Sequence, residues 1–522
     1  MKDSGIKSTN VFYKTFLFFE KVQKKAYFIL NRISNLFIKY KVTNNSNTVD
    51  FLDTIIIVCL GVLCYYIFIF RLDAFPLRMW DEARNSINAL EMLKTKNIFV
   101  TYFNGSPDMW NTKPPLLIWI IAGLFKFLGI SELSVRLPSA IAASSVVIAI
   151  YLFSKKILNE RWIGLVGALI LVSSMGFPDT HIGRTGDYDA LLTLWTFLGA
   201  VSFFTYLESY KNKYIYISTI FWILAVLTKG IAGLFMMPGI LIYLLFAGKL
   251  IKTLKSSALW KAAMVFVIVV SFYYIGRNII NPGYFSAIAK EELISRYGKP
   301  FSIISNDFWY YWNLMVSFRF QVWIYFVPAS FLTFLITKSK VQKRFSLFLS
   351  LLVFTYFFII SSSESRNPWY DAQLYPLMSL LVAGFIISVI KKTPLIIRII
   401  PLFILCFYMQ RYIRTNYAYI HRYDIEKTLY SCVRYGYLFR NPPKDVKSYS
   451  TVHKDESYCM PYIFYVEKEG MKRKTIETVN LGDKILTCDQ DTVRLIEEKF
   501  KTTTIYNNSD GCVGLQIVES TT

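Results

Sequence analysis

The chain has 522 residues, 54% of them hydrophobic and 17% aromatic, with a mean hydropathy of +0.38. That balance excludes an ordinary soluble enzyme and points to a polytopic membrane protein, since apolar runs of about 17–25 residues match a hydrocarbon core of roughly 30 Å. The formal net charge is +23. Its Lys and Arg sit mainly in short loops between apolar runs, a positive-inside pattern with anionic headgroup contact, so nucleic acid is not expected as a partner.

Residues 1–50 are basic and partly amphipathic, and read as a cytoplasmic region lying in the membrane interface. No cleavable signal peptide is expected, because no small-residue cleavage site follows an early apolar core. The first span, about 51–70, carries the chain outward. A long polar stretch then runs from Arg71 to Pro115, with adjacent carboxylates at Asp81 and Glu82, several aromatics and a Lys-Pro-Pro terminus. A mere connector needs only a few residues.

Segment 114–129 is apolar but short, opens on two prolines and contains Lys126. If it crossed the membrane, the basic loops near Lys155, Lys211 and Lys249 would all fall outside, so the charge rule makes it interfacial or re-entrant. The remaining spans are expected near 136–154, 162–178, 188–207, 214–228, 230–246, 261–280, 319–337, 345–361, 372–390 and 394–411. The fold class is therefore a polytopic α-helical membrane protein of about eleven crossings, N-terminus in and C-terminus out. Loops 71–135, 178–187, 281–318 and 362–371 share the outer side with a tail, 412–522.

From about Asp445 the apolar runs shorten. VKSYSTV, KTIETV, DKILTC and VGLQIV read as strands, and SYCMPYIFYVEKEG and DTVRLIEEKF as helices. The tail is expected to be a small extracytoplasmic α/β domain. Of seven cysteines, Cys59, Cys64 and Cys406 fall in spans. The other four, Cys432, Cys459, Cys488 and Cys512, permit two disulfides in three connectivities. Their spacing fits no zinc motif well.

Ionisable groups near the bilayer are costly and mark function. Asp81-Glu82 opens a helix, DEARNSINALEML. Its carboxylates read either as partners of free helix N–H groups or as a general base for an acceptor hydroxyl. In Gly183-Arg184-Thr185-Gly186-Asp187-Tyr188-Asp189, Arg184, Asp187 and Asp189 read as capping and pairing, or as a site that orients a sugar or a base. Lys113, Lys229, Arg296 and Arg366 all fall on the outer side, where gratuitous cations are disfavoured. Singly each is a snorkelling side chain; together they suggest a phosphate clamp. The aromatic run 307–326 reads as an interfacial belt. No Gly-rich phosphate loop and no large cytosolic nucleotide domain is evident, so an activated donor would have to arrive within the membrane.

Asp-Glu-Ala-Arg at 81–84, Phe-Asn-Gly before Lys-Pro-Pro, Arg-Leu-Pro-Ser-Ala at 136–140, Arg184-Thr185 with Asp189, and Leu-Thr-Lys-Gly at 227–230 occur in that order. Together they resemble the type-C (GT-C) glycosyltransferases related to lipid A aminoarabinose transferase and protein O-mannosyltransferase. The likeness is good over about 71–250, weaker over 281–390 and negligible in the tail. It implies that 51–411 is a transmembrane glycosyltransferase domain. Such an enzyme takes a polyprenyl-phosphate-linked sugar and works on the outer, periplasmic face of the inner membrane. Its acceptor would be a hydroxyl of lipid A, a protein or an envelope glycan.

By that resemblance Asp81, with Glu82 beside it, is the catalytic base, and Asp189 is the second-loop Asp, a position for which Asp187 competes. Lys113 meets the lipid phosphate, Arg296 and Tyr297 form an Arg-aromatic pair on it, and Tyr370 is a donor-site Tyr. Where the aminoarabinose enzymes have Glu before Lys-Pro-Pro and a His ahead of the Arg, this chain has Thr112 and Glu292. The family's metal contacts are therefore not matched: no cofactor is firmly assigned, a divalent metal stays open as an alternative, and aminoarabinose specificity does not transfer. The rival readings are a flippase or transporter of lipid-linked sugars, which favours internal pseudo-repeats not found here, and a polysaccharide ligase with a pyrophosphate-linked donor.

Overall fold

The computed structural model describes residues 50–179, 181–294, 307–394, 397–421 and 431–521. The amphipathic region 1–49 and both Arg296 and Tyr297 lie outside the described residues.

Ten of the eleven apolar segments form helices. Seven are long and apolar enough to cross a membrane: Phe51–Ile69, Glu132–Lys156, Tyr188–Ser209, Asn212–Leu234, Ser257–Ile280, Lys340–Ser361 and Leu374–Lys392. Arg161–Ser173 and Met237–Phe246 are shorter, and Ile399–Ile420 has 22 residues. The chain is a multi-pass membrane protein. Helix starts follow the local chemistry. Asp50 caps the first helix in a reciprocal capping box with Asp53, and Ser131 and Ser339 cap the helices that follow them. The 188–209 helix is buried on nearly all sides, whereas 257–280 leaves Val265, Ile268 and Phe272 exposed, as a lipid-facing helix must.

Segment 319–337 departs from the expected span. It breaks into a 3-10 turn, Gln321–Phe326, and two short turns, Val327–Ser330 and Thr333–Ile336. Gln321 has φ +52, and Pro328 has no N–H to give a helix. The buried Arg319 just before it is held by Asp371 at 3.0 Å and Asp179 at 3.3 Å.

The two ends of the bundle differ. At one, short basic turns pair with acids: Lys155 and Arg161 with Asp50 and Asp53, Lys249 and Arg344 with Glu208, Lys391 with Glu160. The long connections gather at the other. There the 71–115 stretch forms the helix Asp81–Thr95 and a hairpin, β1 (Tyr102–Phe103) and β2 (Ser106–Pro107). Asn104 and Gly105 turn the hairpin with φ +57 and +77, the positive values a two-residue turn requires. Helix Leu116–Leu128 follows. At about 20 Å it is too short to cross. Leu117, Ile121 and Phe125 are buried in one cluster with the 81–95 helix and the tail.

The tail is an α/β unit with strand order β4-β3-β5-β7-β6, from β3 (Ser450–Thr451), β4 (Lys472–Arg473), β5 (Lys484–Thr487), β6 (Phe500–Asn507) and β7 (Val513–Ser520). Helices Met460–Glu469 and Gln490–Lys499 match the sequence reading. Residues 476–478 are a 3-10 turn closed by Thr475 and Thr478, not a strand, and β6 had no counterpart in that reading. Disulfides join Cys432 to Cys459 and Cys488 to Cys512. The tail docks on the first loop: Tyr465 Oη accepts from the Leu77 N–H at 2.9 Å and donates to Glu132 at 2.8 Å, and Arg440 donates to the Asp73 and Ala74 carbonyls.

Candidate active site

Arg136 is the tie between the first loop and the bundle. Its guanidinium donates to both oxygens of Glu82, at 2.7 and 2.9 Å, and to the carbonyls of Leu72, Phe75 and Pro76. Glu82 accepts in turn from the backbone N–H groups of Arg78 and Gly186. Burial alone would raise this carboxyl, but the Arg136 charge and the three donors hold it below its usual range. Glu82, named with Asp81 as a catalytic candidate, is thus engaged by Arg136 and two backbone N–H groups.

Gly186 explains its motif. A Cβ there would lie 2.3 Å from Val135 Cγ1, so only glycine lets the second loop close against the 132–156 helix. Ser139 Oγ, in the same Arg-Leu-Pro-Ser-Ala motif as Arg136, donates to the Asp187 carbonyl at 2.9 Å. One short motif therefore fixes both acid-bearing loops.

Asp81 follows Trp80, whose φ of +65 and ψ of −120 are rare for a bulky residue. Asp81, His181 and Asp187 offer carboxylate and imidazole atoms within 4.8 Å of one another. His181 has φ +66, its Nδ1 is 3.4 Å from Asp187, and its ring stacks on Trp369 at 3.9 Å. Burial disfavours the charged ring, but the carboxylates of Asp187, Asp81 and Asp189 outweigh it and push the imidazolium up to about 9. Neither oxygen of the buried Asp187 has a hydrogen-bond partner among the described residues. The sequence reading passed over His181. A lone His carries no spacing signal, though it sits two residues before Gly183 in a chain with three His.

Asp189 pairs with Lys229 through contacts of 2.6 and 2.8 Å, and Lys229 lies 5.0 Å from the Tyr370 ring. Lys113 makes no ion pair among the described residues. Its Nζ is 3.4 Å from Asn111 Oδ1 and sits over the Tyr188 and Trp110 rings at 5.5 and 5.8 Å. Asn111 is locked by Asn85, Asn88 and Tyr188, and Arg84 grips Asp108 with two 2.8 Å bonds.

Two cavities adjoin at Lys229. One, with about 570 Å³ of empty space, is walled by Lys113, Lys229, Thr112, Glu292 and Tyr274. The other, about 540 Å³, is walled by Asp189, Lys229, Glu292, Tyr356, Tyr370 and Gln373. Arg184 and Arg366 line neither. Arg184 donates to the carbonyls of Ile67, Phe70 and Arg71, and Arg366 to that of Ser361. These contacts brace chain turns. Thr112 donates to Glu292 at 3.4 Å, so the positions that carry Glu and His in the aminoarabinose enzymes form a hydroxyl–carboxylate contact. That pair does not fit a metal site, whereas the donor set of Asp81, His181 and Asp187 has the spacing and chemistry to accept a divalent cation.

A family model described as dolichyl-phosphate-mannose-protein mannosyltransferase matches residues 112–275. An undecaprenyl phosphate-alpha-4-amino-4-deoxy-L-arabinose arabinosyl transferase of Wigglesworthia glossinidia brevipalpis is 27% identical over 354 residues, 65% of this chain and 59% of that protein. The chain thus matches less than two thirds of that relative's length. The crystal structure of ArnT from Cupriavidus metallidurans bound to undecaprenyl phosphate superposes with a TM-score of 0.67 at 12% identity, covering 88% of this chain and 97% of ArnT. The archaeal oligosaccharyltransferase AglB from Archaeoglobus fulgidus, in complex with an inhibitory peptide and a dolichol-phosphate, gives 0.53 at 12% identity, covering 90% and 74%.

Proposed function

We propose that this chain, a membrane protein with the type-C glycosyltransferase fold, transfers a sugar from a polyprenyl-phosphate donor to an acceptor hydroxyl on the outer face of the cytoplasmic membrane. The observation that carries the reading is one contiguous set of residues at the loop end. Lys113 sits over Tyr188, which is flanked by Asp187 and Asp189; Asp189 holds Lys229; and Asp187 joins Asp81 and His181.

In this reading Asp81 takes the proton of the acceptor hydroxyl. The acceptor oxygen bonds to the anomeric carbon as the bond to the phosphate oxygen breaks, and that bond's electron pair leaves with the lipid phosphate. Direct displacement inverts the anomeric centre. Lys113 and Lys229 stabilise the charge left on the phosphate, as fixed cations in a dry cavity do. Asp189 holds Lys229 in place, and Arg296 with Tyr297 joins the phosphate by resemblance. Asp187 and His181 orient the first-loop carboxylate. A divalent cation bound by the Asp81–His181–Asp187 group would supply Lewis-acid charge there.

Purified protein is mixed with a polyprenyl-phosphate sugar and the release of free lipid phosphate is followed. Release by wild type that is lost in Asp81→Asn supports the transferase. Redistribution of the intact lipid across vesicles without cleavage would replace it with a flippase. Mass spectrometry of lipids and glycans from a deletion strain identifies the acceptor.

A further inference from the structure

The cavity beside Tyr370 holds a hydrogen-bond chain whose direction is fixed. Tyr356 Oη donates to the Tyr370 carbonyl at 3.0 Å, and so it accepts from Gln373 Nε2 at 2.6 Å. This orients the Gln373 amide. Its Oε1 is left as an acceptor, buried and without a hydrogen-bond partner among the described residues, in a side chain that lines the cavity. A buried acceptor of this kind calls for a donor from whatever fills the space.

The candidate occupants differ in what they offer. An isoprenoid chain has no N–H or O–H and would leave Oε1 desolvated. A phosphate is itself an acceptor and belongs on the Lys229 wall. A sugar carries hydroxyl or amino donors, and its C–H faces suit the neighbouring rings of Tyr356 and Tyr370.

We infer that this cavity takes the sugar ring of the lipid-linked donor, and that Gln373 Oε1 accepts a hydrogen bond from a hydroxyl or amino group on it. Gln373 is then a residue that selects the sugar, while Lys113 and Lys229 hold the phosphate whatever sugar it carries. The inference rests on the transferase reading above.

The test uses the full chain in lipid nanodiscs. Binding of undecaprenyl phosphate is compared with that of undecaprenyl-phosphate glucose, mannose, N-acetylglucosamine and 4-amino-4-deoxyarabinose. Wild type should bind one sugar-bearing lipid more tightly than the bare phosphate. Gln373→Leu should lose about 3–10-fold of that affinity, the worth of one neutral hydrogen bond, while binding bare undecaprenyl phosphate as wild type does. Gln373→Glu, which keeps an acceptor, should retain more of it. Equal weakening of all five lipids would assign the cavity to the phosphate or the chain, and no change in any would assign it to water; either result overturns the inference. If Asp81-dependent phosphate release is present but the Gln373 variants match wild type, only this inference falls. Absence of release removes the transferase reading and this inference with it.

Discussion

Glu82 and Arg136 meet side-on through two hydrogen bonds, both groups almost wholly shielded from solvent, and among the described residues the other hydrogen bonds of the two side chains run to backbone of the two acid-bearing loops. Breaking one half of such a pair leaves an uncompensated buried charge, which typically costs about 3–5 kcal/mol. Arg136→Met should lower the unfolding free energy by that amount and displace Asp81 and Gly186 together. Denaturant melts of the detergent-solubilised protein measure the first effect. A parallel loss of transfer activity at temperatures where the variant stays folded measures the second.

Lys113 should behave differently, because its ammonium holds a cavity wall rather than a loop. Lys113→Ala is expected to lose about 10²–10³ in turnover with an unchanged melting profile. A variant that retains wild-type turnover would remove Lys113 from the phosphate site.

With no cation bound by Asp81, His181 and Asp187, the His181 imidazolium ties pH to stability. Its value in the folded protein, about 9, exceeds the ordinary 6.5. The folded state therefore binds the proton more tightly than the unfolded one, and the stabilisation is fully present below about pH 6.5 and lost as pH rises through 9. Wild-type melting temperature should fall across that window relative to His181→Gln, whose profile lacks this component. Identical pH profiles would show that the ring carries no such charge.

The tail disulfides close loops with sequence separations of 27 and 24. Loops of that size are worth roughly 3 kcal/mol each in the chain-entropy picture. Alkylation of the unfolded, unreduced protein should label only Cys59, Cys64 and Cys406, and reduction should lower the melting temperature of the tail before that of the bundle.

Much of this architecture was legible from hydropathy, because spans need apolar length and little else. The broken segment 319–337 was not. Its apolar composition passes for a span, while the feature that shapes it, Arg319 reaching Asp179 and Asp371, joins residues 140 and 52 positions away. Strand β6 stayed hidden because it lies at the sheet edge with mostly exposed side chains, leaving no alternation to read. In the candidate site, sequence located the acids and cations but not their partners. Arg184 binds backbone carbonyls, which have no sequence trace, and the Gln373 acceptor becomes visible only once Tyr356 is seen to spend its proton on Tyr370.

The docking of Tyr465 and Arg440 on the first loop means that the membrane portion does not end in a finished surface. In a version cut after Ile420, Phe125 would lose its partner Phe464, Glu132 would lose its donors, and the roof over the 81–95 helix would open to water.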